Sequence, residues 1–380
     1  MTPLRVGVIG CGGIAQMMHL PTLGERPDLF TIAGLADVSR GTLDAVCRRY
    51  NTSVFTTDYR ELAARPDVDA LLLLSSGCHR EAVLELLGSD KHLFVEKPLA
   101  FSLQETEEIA RAARGRRALL MVGYHKRFDP AYRRAREAVR SLGDLRFAEV
   151  TVLHPDDSAY RTHHAVLPVR ETPAPALPEA ESVRLTVERV TQGPLRSCVD
   201  RIVGAEASNT VRVAASLLFE SLIHDVSAVR GILGDPEAVL SAHAWRGGMA
   251  QSSLSRFPGE VMVAMHWISL PGLRHYEERL RFVAPAGRVT LTFPSPYLRH
   301  MPTPLSIERM EGEELVVEER TVSYEEAFRA ELYHFRECVL SGRQPELTVE
   351  EALGDARWIQ AIADAYPRAE AAGEPRHREA

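Results

Sequence analysis

A short apolar strand that runs straight into a glycine turn is the feature that most limits what this chain can fold into. Leu4–Ile9 (L-R-V-G-V-I) is followed at once by Gly10-Cys11-Gly12-Gly13-Ile14-Ala15, and Ile14–Leu23 then reads as a helix. This is a G-x-G-x-x-A pattern between a strand and a helix. Gly10 permits the tight turn, Gly12 lets the backbone approach a pyrophosphate, and Ala15 allows close helix–strand packing. The helix N-terminus faces the phosphate charge. Asp37 closes a second strand, Phe30–Ala36, 22 residues after Ala15. A carboxylate there is placed to hold ribose hydroxyls. Gly10, Gly12, Gly13, Ile14, Ala15 and Asp37 are therefore the candidate cofactor residues. Asp37 repels a 2′-phosphate and favours NAD, while Arg40 close by keeps NADP as the alternative.

Strands and helices alternate onward from there. Gly41–Tyr50, Asp58–Ala64, Arg80–Leu87 and Leu103–Arg114 read as helices, and Ala70–Leu74, His92–Val95 and Ala118–Val122 as buried strands. That order implies a doubly wound parallel sheet, a Rossmann domain over residues 1–123. Residues 124–380 change pattern. Pro130–Ser141 and Val211–Leu233 read as helices. Alternating runs at Leu145–His154 and from Ala238 to Val322 predict a large, mostly antiparallel open sheet, so this domain is α+β. Helices at Tyr324–Leu340 and Val349–Tyr366 close it. Residues 155–208, with four prolines from Pro168 to Pro178, read as a long excursion.

Composition excludes other classes. A net charge of −7 argues against a nucleic-acid surface. No apolar run has bilayer length, and the N-terminus has no signal-peptide pattern, so a cytoplasmic protein is expected. Five scattered cysteines without a C-x-x-C pair predict reduced thiols, and no metal-ligand spacing stands out. Lysine occurs only at Lys91, Lys97 and Lys126, among 45 basic residues.

Lys97 follows an apolar strand and precedes Pro98, at the strand end where ligands bind in this architecture. Its ammonium suits the polarising of a substrate oxygen. Glu220 and His224 are four apart on one helix, hence on one face. Opposite them lies an apolar stripe of Leu218, Leu222, Val226, Val229 and Leu233. Tyr124, His125 and Lys126 lie at the domain crossing. Tyr160 belongs to a polar cluster that opens the excursion. All four are candidate substrate contacts.

Asp90–Ala100 (D-K-H-L-F-V-E-K-P-L-A), Gly123–Pro130 (G-Y-H-K-R-F-D-P) and Glu220-x-x-x-His224-Asp225 resemble the Gfo/Idh/MocA oxidoreductases, the glucose–fructose oxidoreductase and inositol dehydrogenase family. The resemblance implies dehydrogenase or reductase activity on a sugar, cyclitol or related carbonyl. It implies His224 as general acid/base, Lys97 polarising the same oxygen, and Glu220 orienting the pair. His79 and Glu96 fall on family positions beside the cofactor, and Ser75-Ser76-Gly77 replaces the family's Thr-Pro as the source of loop contacts. The family has Asp where this chain has Glu220. Two alternatives share these residues: an enzyme that retains NAD and has a non-redox outcome (glycoside cleavage or epimerisation), and a non-catalytic dinucleotide sensor. The second sheet needs covering, so a homodimer or homotetramer is expected.

Overall fold

The computed structural model describes residues 2–168 and 178–367. Six strands form the first sheet: β1 (Leu4–Ile9), β2 (Phe30–Ala36), β3 (Phe55–Thr56), β4 (Ala70–Leu73), β5 (His92–Glu96) and β6 (Leu120–Gly123). Their order is β3-β2-β1-β4-β5-β6, all parallel. The chain reverses direction across the sheet between β1 and β4, which opens a crevice at their carboxyl ends. β4 is buried at every residue, as a strand covered on both faces must be. β3 was not expected from sequence; two residues are too few to show a period.

The second sheet has eight strands: β7 (Phe147–His154), β8 (Ala238–Trp245), β9 (Ala250–Phe257), β10 (Val261–Ser269), β11 (Glu277–Ala284), β12 (Gly287–Phe293), β13 (Pro304–Glu311) and β14 (Glu314–Thr321). The order is β14-β13-β12-β11-β7-β10-β9-β8, antiparallel except for β7 with β10. In β10 and β11, buried residues alternate with half-buried ones, the mark of a sheet with one packed face. Helix Pro130–Ser141 starts under a proline, and the Asp129 carboxylate accepts from the Ala131 and Tyr132 N–H groups. Such a cap is worth about 1 kcal/mol.

Three expectations need correction. The described parts of the stretch 155–208 are not mere excursion, since Ser158–Arg161, Glu179–Thr191 and Arg196–Val203 are helices, while residues 169–177 of it lie outside the described residues. The helix read at Val211–Leu233 is Asn209–Leu217, then a wide π-helical turn at Leu218–Leu222, then Ile223–Leu233. The thiols are not all free, because Cys78 after β4 is joined to Cys198 of helix Arg196–Val203, while Cys11, Cys47 and Cys338 are unpaired. Among the described residues no helix is long and apolar enough to cross a membrane.

Candidate active site

The glycine turn has the shape a dinucleotide needs. Gly10 sits at φ 88°, and a Cβ there would lie 2.5 Å from the Ser75 backbone nitrogen. At Gly12 an added Cβ meets nothing within 4 Å, so the backbone faces open space. The Asp37 carboxylate accepts from the Cys11 N–H at 2.7 Å and from the Ser39 N–H at 2.8 Å. It is thus fixed at the rim of the turn, and the donor set fits a dinucleotide. Arg40 is engaged elsewhere: it pairs with Asp44 at 3.0 Å and lies over the Phe55 ring. Ile14 packs partly buried against the core.

His79 and Glu96 are both buried and hydrogen-bonded within the protein. The two ring nitrogens of His79 face the Pro98 and Ser75 carbonyl oxygens at 2.8 and 2.6 Å, in a buried setting. It knits the loop of Ser75 and the more exposed Ser76 to the turn after Lys97. The Glu96 carboxylate meets His19 Nε2 at 2.7 Å and the Lys97 N–H at 3.0 Å. Both residues, expected beside the cofactor, thereby brace the backbone on either side of Lys97.

Lys97 Nζ crosses to the second domain and donates to the Glu220 carbonyl oxygen at 2.6 Å. Burial lowers the Lys97 pKa, against the opposing charges of Glu96 and Glu220. The wide turn puts this carbonyl, not the Glu220 carboxylate, in front of the lysine. The carboxylate instead binds Arg189 of helix Glu179–Thr191 at 2.6 Å. Burial raises the Glu220 pKa, opposed by Arg189 and Lys97. The expected Glu220–His224 pair is therefore replaced by a Glu220–Arg189 pair, and Arg189 was missed. Nothing in the sequence around Arg189 marks it, since its partner is 31 residues away.

His224 begins the regular helix after that turn. Its Nδ1 is buried without a hydrogen-bond partner among the described residues. Burial, then the positive charge of Lys97, drives its pKa well below the usual histidine value. His224 is therefore a neutral imidazole at neutral pH and can accept a proton. The His125 ring packs edge-on to it, with centroids 4.8 Å apart, and stacks on Phe328 at 4.1 Å. The small residues beyond His224 pack inward. Ser227 and Ala228 are fully buried, and Gly231 lies under Tyr132 and Arg127.

The remaining substrate candidates divide. Tyr124 is only 1% exposed and belongs to the core. Lys126 is buried between Glu278, which it contacts directly, and Asp225 at 3.7 Å. Burial pushes its pKa down to about 8. Both candidates are thus packed within the protein. Tyr160 accepts from the Tyr276 N–H at 2.7 Å and donates to the Arg274 carbonyl at 3.3 Å, pinning the loop before β11. His19 and Glu331 escaped notice. Glu331 had a legible signal, an acid on the stripe of Phe328, Leu332 and Phe335.

Residues 4–124 match the GFO/IDH/MocA model, described as an oxidoreductase family with an NAD-binding Rossmann fold. The myo-inositol 2-dehydrogenase of Thermotoga maritima is 31% identical over 139 residues, 36% of this chain and 41% of that protein. The chain thus spans less than half the length of that relative. A scyllo-inositol 2-dehydrogenase (NAD(+)) of Bacillus subtilis is 20% identical over 365 residues, covering 91% of this chain and 89% of that protein. A solved 3-ketoreductase from Actinomadura kijaniata, in complex with NADP and TDP-benzene, superposes with a TM-score of 0.70 at 20% identity. That match covers 96% of this chain and 98% of the other, and shows the two-domain fold. Over residues 4–124 the chain is thus similar to the Gfo/Idh/MocA oxidoreductases.

Proposed function

We propose that this protein uses NAD(P) to interconvert a secondary alcohol and a ketone on a sugar, cyclitol or related polyol. The nicotinamide, when bound, supplies the hydride acceptor or donor. The observation that carries the reading is the meeting of Lys97 from the end of the first domain with the Glu220–His224 turn of the second. Neutral His224 takes the hydroxyl proton, at a ring whose Nδ1 no described protein group engages. The Lys97 ammonium stabilises negative charge on the same substrate oxygen. Glu220 is a positioning residue: its carbonyl aims Lys97 while its carboxylate anchors the turn to Arg189. The two named dehydrogenases act on inositols, which are cyclic polyols. The test is reduction of NAD or NADP across a panel of inositols and aldoses, with the ketone product measured. Consumption of neither cofactor on any member overturns the reading.

Asp37 is the residue we assign to the ribose. Asp37→Ala should weaken NAD binding about ten- to a hundredfold, the worth of hydrogen bonds to a charged group, and weaken NADP binding less. Titration calorimetry reads both; equal losses would remove Asp37 from the ribose. We also place self-association on the open face of the second sheet, where Met310, Leu315 and Val317 are exposed. Sedimentation velocity checks it, and a monomer at micromolar concentration refutes it.

A further inference from the structure

Glu331 lies on the inner stripe of helix Ala327–Ser341 with no exposure, and neither of its carboxyl oxygens has a hydrogen-bond partner among the described residues. His19 and Glu96 are its polar neighbours. One ligating atom from each of the three lies within 4.8 Å of the others, and all three residues are buried. His19 Nε2 already holds Glu96 at 2.7 Å, and His19 Nδ1 is also unpartnered. The Phe94 and Phe328 rings, each 5.6 Å from the His19 ring, close the space to water.

Among the described residues no lysine or arginine pairs with Glu331. The segment His125–Phe128 packs against this helix, but its charges are spent elsewhere. His125 stacks on Phe328, Lys126 binds Asp225 and Glu278, and Arg127 binds Glu351. On the helix itself, Arg329 turns to Glu325, His334 to the Glu346 N–H, and Arg336 to the Leu29 carbonyl. An ionised Glu331 would be a second desolvated carboxylate beside Glu96, and two such groups do not both ionise.

We propose that Glu331 stands in the folded protein as a neutral carboxylic acid, so that the His19–Glu96–Glu331 cluster presents a single carboxylate charge to Lys97. A divalent cation would satisfy the same oxygens, but it would have to part His19 from Glu96. A proton displaces nothing. Burial first, and the Glu96 charge second, act in the same direction by raising the Glu331 pKa well above the carboxylate range. The Glu96 charge in turn favours the ammonium form of Lys97. Glu331 is thus a positioning residue for that charge; this last link rests on the proposed function, while the neutral acid does not.

A carboxyl whose pKa is higher folded than unfolded contributes most below its unfolded value and loses stability as pH rises. Glu331→Gln copies the neutral acid without titrating. The folding equilibrium of the variant should therefore gain on wild type by up to about tenfold per pH unit from about pH 5 upward. Infrared spectra of the wild type at neutral pH should show a protonated carboxyl stretch that the variant lacks; if the variant does not fold, the difference spectrum against Glu331→Ala decides. In activity profiles, Glu331→Ala admits water and moves the alkaline limb to lower pH, and Glu331→Gln restores it. No infrared band with a pH-independent stability gap overturns the proposal. So does a stoichiometric divalent metal in wild type that Glu331→Gln loses, or an alkaline limb displaced in Glu331→Gln. If the band and the stability gap appear while Lys97 proves dispensable for turnover, the neutral acid stands and the proposed function falls.

Discussion

Lys97→Met should lower turnover by about 10²–10⁴-fold, the range for removal of a positioned acid–base or charged group, with the NAD dissociation constant little changed. Methionine keeps much of the apolar stem and removes the charge. The substrate oxygen then develops its negative charge in a buried site without a cation, where electrostatic terms weigh most. Lys97→Arg should not rescue it. A guanidinium is planar, stays protonated and needs several acceptors, whereas among the described residues Nζ has the Glu220 carbonyl as its one hydrogen-bond acceptor. The variant also loses a bond between domains, a charge-assisted contact worth about 1.5–3 kcal/mol. Calorimetry separates the effects: a stable, NAD-binding protein without turnover supports the assignment. Retained turnover removes Lys97 from the chemistry.

The place of Lys97 directly after β5 was legible because a rare residue type stood at the end of an apolar strand. The parallel sheet was legible for a similar reason: β1, β2 and β4 are near-continuous apolar runs with glycine or aspartate at their ends. The Glu220–His224 relation was not. Spacing of four puts two residues on one face only in a regular α-helix, and the π-helical turn at Leu218–Leu222 breaks that rule without disturbing the apolar pattern. Partners distant in sequence were equally invisible. Arg189, Glu278 and Glu351 decide what Glu220, Lys126 and Arg127 do, and no local pattern announces them. The run Tyr124-His125-Lys126-Arg127 looks like a polar crossing, yet all four residues are buried.

Lys126 yields the second large effect, on stability. Lys126→Met leaves Asp225 and Glu278 buried, with no described cation taking the place of the ammonium. Breaking such a buried pair costs about 3–5 kcal/mol. Proton chemistry gives a similar figure: holding an ordinary carboxyl neutral at pH 7 costs about 1.4 kcal/mol for each unit above a usual pKa near 4, so about 4 kcal/mol for one group. The two routes agree because the cheapest relief for an orphaned carboxylate is a proton. The sign in pH follows. In the variant a carboxyl would have a folded pKa above its unfolded one, so the deficit should be largest at alkaline pH and shrink as pH falls toward 4. Adding Asp225→Asn and Glu278→Gln should recover much of the loss, as replacement of whole buried ion clusters tends to do. Denaturant titrations at several pH values read all of this. If Lys126→Met is as stable as wild type but loses substrate affinity, the ammonium faces ligand after all, and the buried cluster does not need it.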